Sequence, residues 1–174
     1  MARQPRRYLL VDGYNIINSW GDLAEAAKIS LETARIKLAE IMADYSAQTG
    51  IKVVVVFDAH MVEGRHRAKY ASSGIDIIFT KEGETADHYI EKVADAIGRE
   101  QEVVVATSDW IEQQIVMGRG ASRISARELK HEIDELAEKQ RKREKKQEKT
   151  RDTLGDLIDP RVREMLEKDT NCKE

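Results

Sequence analysis

Among the 174 residues there is one cysteine, Cys172. A lone thiol excludes an internal disulfide framework and suits a reducing cytosol, so a cytoplasmic location is expected. No apolar run approaches the roughly 20 residues of a membrane-spanning helix, and no membrane partner is expected. Excess positive charge is also lacking. There are 29 Lys and Arg against 32 Asp and Glu, a net charge of −3, so nothing global marks a nucleic-acid binder. The start of the chain is basic at Arg3, Arg6 and Arg7. Asp12 and Asn15 interrupt the apolar stretch that follows, which makes a poor signal-peptide core.

What is present is a repeated pattern of short apolar runs that lead into acids. Tyr8 to Val11 runs into Asp12, and Val53 to Phe57 into Asp58. Ile75 to Phe79 is followed by Glu82, Glu84 and Asp87, and Val103 to Ala106 by Thr107, Ser108 and Asp109. Short Val- and Ile-rich runs read as buried parallel strands. In an open α/β sheet, ligands bind at the carboxyl ends of such strands. The chain therefore gathers carboxylates at one sheet edge, where they repel unless a cation neutralises them. Mg²⁺ or Mn²⁺ is the expected cofactor, and such sites handle phosphate esters.

Between the runs the pattern is helical. A helix is expected over about Ser30 to Gln48, capped by Ser30, closed by Gly50, with Leu31, Ala34, Ile36, Leu38, Ile41, Met42 and Tyr45 near helical spacing. A second covers about Thr85 to Gly98, burying Ile90, Val93, Ala94 and Ile97, and a short one Asp109 to Met117. Ser122 to Ile124 reads as an edge strand, and His60 to Lys69 as a polar loop. The fold class is α/β, a central mainly parallel sheet flanked by helices on both faces, with right-handed crossovers. The expected division is residues 1–130 as the α/β domain and 131–174 as a charged helical extension. Leu129, Ile133 and Leu136 form a last apolar stripe. Glu138 to Arg151 then carries eight Lys and Arg against three Glu. A final short helix follows Asp159 and Pro160.

Each acid also has a purely structural explanation. Asp12 and Asp58 can close Asx-turns at strand ends, with Gly13 permitting a tight turn. Asp87 and Asp109 can favour the first turn of a helix, after caps at Thr85 and at Thr107 or Ser108. The metal reading rests on the coincidence of all of them at one edge.

Asp12-Gly13-Tyr14-Asn15 after the first strand resembles the signature of NYN-domain nucleases, relatives of the PIN and FLAP nucleases. Phe57-Asp58-Ala59, Glu84-Thr85-Ala86-Asp87 and Thr107-Ser108-Asp109 are similar to the later motifs of the YacP-like branch, in the expected order over about residues 7 to 130. The resemblance implies a PIN/NYN-like three-layer fold and metal-dependent RNA cleavage. It gives Asp12, Asp87 and Asp109 as principal metal-binding and catalytic carboxylates, with Asn15 beside them. Asp58 and Glu84 would support the metal, and Ser108 and Thr107 the site. Members of this branch are similar to ribosome-associated endonucleases, so messenger RNA is the expected substrate and the ribosome a possible partner. Water activated by the ion would attack phosphorus in line and leave a 5′-phosphate and a 3′-hydroxyl.

An acidic site needs cations nearby to hold RNA. Arg65, His66, Arg67 and Lys69 supply them in one loop, with Tyr70 to stack on a base and Lys81 at another loop. Lys142, Arg143, Lys145 and Lys146 supply them in the basic segment. Both segments also read as ordinary solvated surface. The competing functions are a non-catalytic RNA- or ribosome-binding module, a haloacid-dehalogenase-type phosphatase, and a dinucleotide-binding enzyme. The phosphatase needs a second Asp where Tyr14 stands. The dinucleotide enzyme needs the Gly-x-Gly-x-x-Gly that the first turn lacks, so no nucleotide cofactor is expected.

Overall fold

The structure, a computed structural model, describes residues 7–59, 69–72, 74–108 and 121–156, of which 69–72 and 148–156 are described as backbone. The expected short helix from Asp109, the expected helix after Pro160, and His60, Arg65, His66 and Arg67 lie outside the described residues. The chain divides into two compact units, Met1–Ile133 and Asp134–Glu174.

The first unit is built on one six-stranded sheet. Its strands are β1 (Arg7–Asp12), β2 (Lys52–Phe57), β3 (Lys69–Ser72), β4 (Ile75–Phe79), β5 (Glu102–Ala106) and β6 (Ser122–Ile124), in spatial order β3-β4-β2-β1-β5-β6. All neighbours pair in parallel except β3 with β4. The four parallel runs read from the sequence are therefore strands, and Ser122–Ile124 is the sixth strand at one edge. The antiparallel strand β3 was not expected. It takes Lys69 and Tyr70 out of the loop in which they were placed and pairs them with Ile78 and Ile77.

Strand alternation sorts the apolar residues between two faces. Leu10, Val54, Val56, Ile78, Val103 and Val105 pack with Ala86, Ile90 and Ala94 of α4 (Ala86–Ile97). Residues of opposite parity, among them Leu9, Val11, Val53, Val55 and Phe57, are also buried. On that side stand α1 (Gly13–Ser19), α2 (Gly21–Ile29) and α3 (Leu31–Thr49), with α1 and α3 both contacting β2. Both faces being covered explains why the strands are continuous apolar runs rather than alternating ones. The cap of α3 is Ser30, whose Oγ accepts from Thr33 N–H, and Gly50 closes it at φ 72°. Within α3, Ile36 departs from the expected inward stripe and is exposed, while Ala34, Leu38, Met42 and Tyr45 are buried. A stripe of period 3.6 cannot hold every apolar residue in the helix.

Helices α1 and α2 were not foreseen. Gly13 opens α1 rather than making a tight turn, and its φ is not positive. The need for glycine is steric: a Cβ there would run into the Phe57 ring. Helix α5 (Ala126–Asp156) starts with a reciprocal cap. Ser125 N–H donates to Glu128 Oε2 (2.8 Å), and Glu128 N–H to Ser125 Oγ (3.2 Å). Leu129 in its second turn is fully buried. In the second unit Leu136 is half-buried and residues 137–147 are exposed, and Glu138 pairs with Lys142 at 2.9 Å across one turn.

Candidate functional site

Parallel pairing brings the carboxyl ends of β1, β2, β4 and β5 to one edge. Asp12 is level with Val56, and Val11 with Ala106, which puts Thr107 beside the Asp12 row. Asp12 is both the last residue of β1 and the N-cap of α1. Its Oδ1 accepts from Asn15 N–H at 3.1 Å. By parity it shares the face of Leu10, the face that α4 covers. Helix α4 begins at this same edge, with Thr85 as its cap accepting from His88 N–H at 3.2 Å. The first turn of α4 thereby carries Asp87 to Asp12.

The proximity of the two acids registers in their electrostatics. Asp12 is 9% exposed. Burial, then the charge of Asp87 and a side-chain hydrogen bond with it, raise the Asp12 carboxyl from its ordinary 3.8 to about 6, against opposing N–H groups of Asn15 and Tyr14. Two carboxyls brought together at a desolvated position suit a shared hard cation. Among the described residues no group of three or more His, Cys, Asp or Glu is assembled for a metal. Asp109, the third acid of the expected set, lies outside the described residues.

The supporting residues divide by role. Asn15 Oδ1 accepts from Ser108 N–H at 2.8 Å, tying α1 to the segment after β5 across 93 positions of sequence. Ser19, which sequence reasoning did not single out, adds its Oγ 3.3 Å from Ser108 Oγ and donates to Asn15 O at 2.8 Å. Thr107 is fully buried and donates its backbone N–H to Ile124 O at 3.2 Å, which ties the end of β5 to β6 beside the Asp12 row. Asp58 is flanked by two bonds to Thr80. Thr80 N–H reaches Phe57 O, and Thr80 Oγ1 accepts from Ala59 N–H, both at 3.0 Å. Glu84 belongs to the turn after β4, where Glu84 N–H bonds Lys81 O at 3.0 Å and Gly83 takes φ 85°. Lys81 is exposed on that turn.

A group on the opposite face of the sheet was also missed. Arg35 of α3 donates to Tyr14 Oη at 2.9 Å and lies 5.8 Å from the centre of the Phe79 ring. Phe79 stacks on Phe57 (5.5 Å), and Phe57 meets Tyr14 edge-on (5.1 Å). Arg35 stands beside buried Ala34 in the helix. That position at the border of the apolar stripe is the one signal the sequence offers for it.

The YacP-like NYN domain family matches residues 9–171 of this chain. The chain belongs to that family. It is 47% identical over 129 residues to the uncharacterized protein YacP of Bacillus subtilis (strain 168), an alignment covering 74% of this chain and 75% of that one. It is similar to the crystal structure of Rae1 (YacP) from Bacillus subtilis, with a TM-score of 0.72 and 40% identity over 95% of both chains. A substitution mutant of the same Bacillus protein gives 0.69 and 43%, over 80% of this chain and 81% of that one. The YacP-like NYN domain here is thus the α/β, PIN-like, nuclease-like fold that its motifs resemble. Among its described residues no helix is long and apolar enough to cross a membrane.

Proposed function

We propose that this YacP-like NYN domain is a metal-dependent endoribonuclease that acts on messenger RNA in the cytoplasm, in association with the ribosome. The observation that carries the reading is the meeting of Asp12 and Asp87 at the carboxyl edge, with Asp12 raised to about 6 by burial and by its neighbour. Two carboxyls held in mutual repulsion are a poor structural device and a good cation site. The nuclease-like fold supports a nucleic-acid substrate. The choice of messenger RNA and the ribosome rests on the resemblance of the branch and on the basic segment from Glu138.

In this reading Asp12, Asp87 and Asp109 would hold Mg²⁺ or Mn²⁺, with Asp58 and Glu84 near them. Such an ion, when bound, makes water more acidic and offsets charge on phosphoryl oxygens. The protein's own contribution is positioning. Asn15 N–H fixes the Asp12 carboxylate, and the Thr85 cap fixes Asp87 in the first turn of α4. The Asn15 side chain holds the backbone at Ser108, one residue before Asp109. Attack by water would leave a 5′-phosphate and a 3′-hydroxyl.

The test is cleavage of translated and naked RNA side by side, with Mn²⁺, with EDTA, and with end mapping. Cleavage that needs the metal and leaves 5′-phosphates is expected. Cleavage that survives EDTA, or cyclic phosphate ends, would overturn the mechanism. Binding without cleavage under every condition would favour the non-catalytic RNA- or ribosome-binding module.

A further inference from the structure

Helix α3 starts at the carboxyl edge, because it carries the chain back from the end of β1 to the start of parallel β2. Arg35 lies in its first turns. It reaches Tyr14, two residues beyond Asp12, and Phe79, the last residue of β4. A guanidinium thus sits at the same sheet edge as the acid pair, on the face opposite α4. It is half-buried, and among the described residues no carboxylate pairs with it; its partners are the Tyr14 hydroxyl and the Phe79 ring. The guanidinium has five N–H groups, and the neutral Tyr14 oxygen accepts one. A partly desolvated cation with unused donors costs free energy unless an anion meets it.

We propose that Arg35 holds a backbone phosphate of the substrate strand, next to the phosphodiester at Asp12 and Asp87. The assignment deepens the endoribonuclease reading and rests on it. Arg35 supplies what the acid pair lacks. A polyanion approaching two carboxylates is repelled, and a guanidinium at the same edge offsets that repulsion and fixes the strand by forked hydrogen bonds. The aromatic group limits its freedom: the guanidinium carbon lies over the Phe79 ring and one terminal nitrogen donates to the Tyr14 hydroxyl. Held that way, the fork loses little freedom on meeting a phosphate.

Arg35→Met and Arg35→Lys are compared with wild type in cleavage of a labelled single-stranded RNA with Mn²⁺ across a salt series. Thermal melting is followed on the same preparations. Met keeps the stem over Phe79 and removes the charge. It should lower kcat/KM about tenfold, chiefly through KM, as expected for one lost charged hydrogen-bond donor. It should also flatten the log–log salt slope by about 0.7, the share of one phosphate contact on a single strand. Lys should restore the slope without restoring the full affinity. Folded Arg35→Met with unchanged KM and slope would overturn the proposal. So would an equal loss of melting temperature and kcat in both variants, the mark of a packing role. If Arg35→Met does not fold, the KM of Arg35→Lys decides, because its charge is kept and its fork is gone. A wild-type protein that cleaves no RNA would overturn the endoribonuclease reading itself, which separates the two failures.

Discussion

Replacing Asp12 by Asn removes a charge that the apo fold buries beside another. Folded, the Asp12 carboxyl titrates at about 6, against 3.8 ordinarily. Below pH 3.8 it is neutral in both folded and unfolded chains and contributes no difference. Between 3.8 and 6 the folded state binds more protons than the unfolded one, so stability falls as pH rises. Above 6 the whole penalty is present. At 1.36 kcal/mol per pH unit the separation corresponds to about 3 kcal/mol. Asn caps a helix about as well as Asp and can still accept from Asn15 N–H, so the substitution keeps the cap and removes the charge. In EDTA at pH 8, Asp12→Asn should therefore melt above wild type. At 2–4 °C per kcal/mol for a chain of this size, and allowing for relaxation around the site, the gain is about 4–8 °C. The gap should close as pH falls from 7 toward 4, because the wild-type carboxyl then takes up its own proton. Calorimetric melts of both proteins over that range measure it. A variant that melts at or below wild type at pH 8, or a gap that does not change with pH, would refute the argument.

Asp87→Asn should abolish cleavage and likewise raise the apo melting temperature, and titration calorimetry with Mn²⁺ should show weakened binding; wild-type turnover in this variant would count against the site. Asn15→Ala leaves Ser108 N–H without its acceptor and should cost about 1 kcal/mol in urea unfolding, with cleavage reduced more than stability alone accounts for. Gly13→Ala pushes a methyl group into the Phe57 ring and should destabilise by about 1–3 kcal/mol, readable as a lower urea midpoint. Replacing Lys142, Arg143, Lys145 and Lys146 together with Gln should weaken RNA or ribosome binding and flatten its salt dependence while leaving metal affinity unchanged; an unchanged slope would make the segment a solvated spacer.

Much of the sheet was legible because parallel strands covered on both faces must be apolar throughout. Ile75–Phe79 coincides with its observed bounds for that reason, and the apolar run Val53–Phe57 falls one residue short of β2, whose first residue, Lys52, is exposed. Ser30 and Thr85 announced their helices because a capping oxygen is a local device, readable within three residues. Helix α1 was hidden by its own first residue. Glycine is a weak helix former, and the constraint that selects it, the Phe57 ring, lies 44 positions away in sequence. Strand β3 is four residues long, too short for alternation to stand out. At the site, the juxtaposition of Asp12 with Asp87 could be foreseen from the end of β1 and from the Thr85 cap that starts α4 at the same edge. The bond from Ser108 N–H to Asn15 could not, because a backbone amide gives no residue-type signal. Arg35 was invisible for a related reason: a charged residue on an amphipathic helix reads as solvated surface until the neighbouring aromatics are placed.

Among the described residues the sheet ends on one side in the four residues of β3 and on the other in the three residues of β6. Unpaired strand margins are templates for another chain, and the long apolar strands here, β1, β2 and β5, all lie inside. The margin β6 exposes Ser122 and Arg123, and β3 begins with Lys69. The protein should accordingly stay monodisperse when concentrated, despite cores of consecutive valines that as free peptides would assemble into fibrils. Peptides designed to augment the sheet should find little to grip at either border.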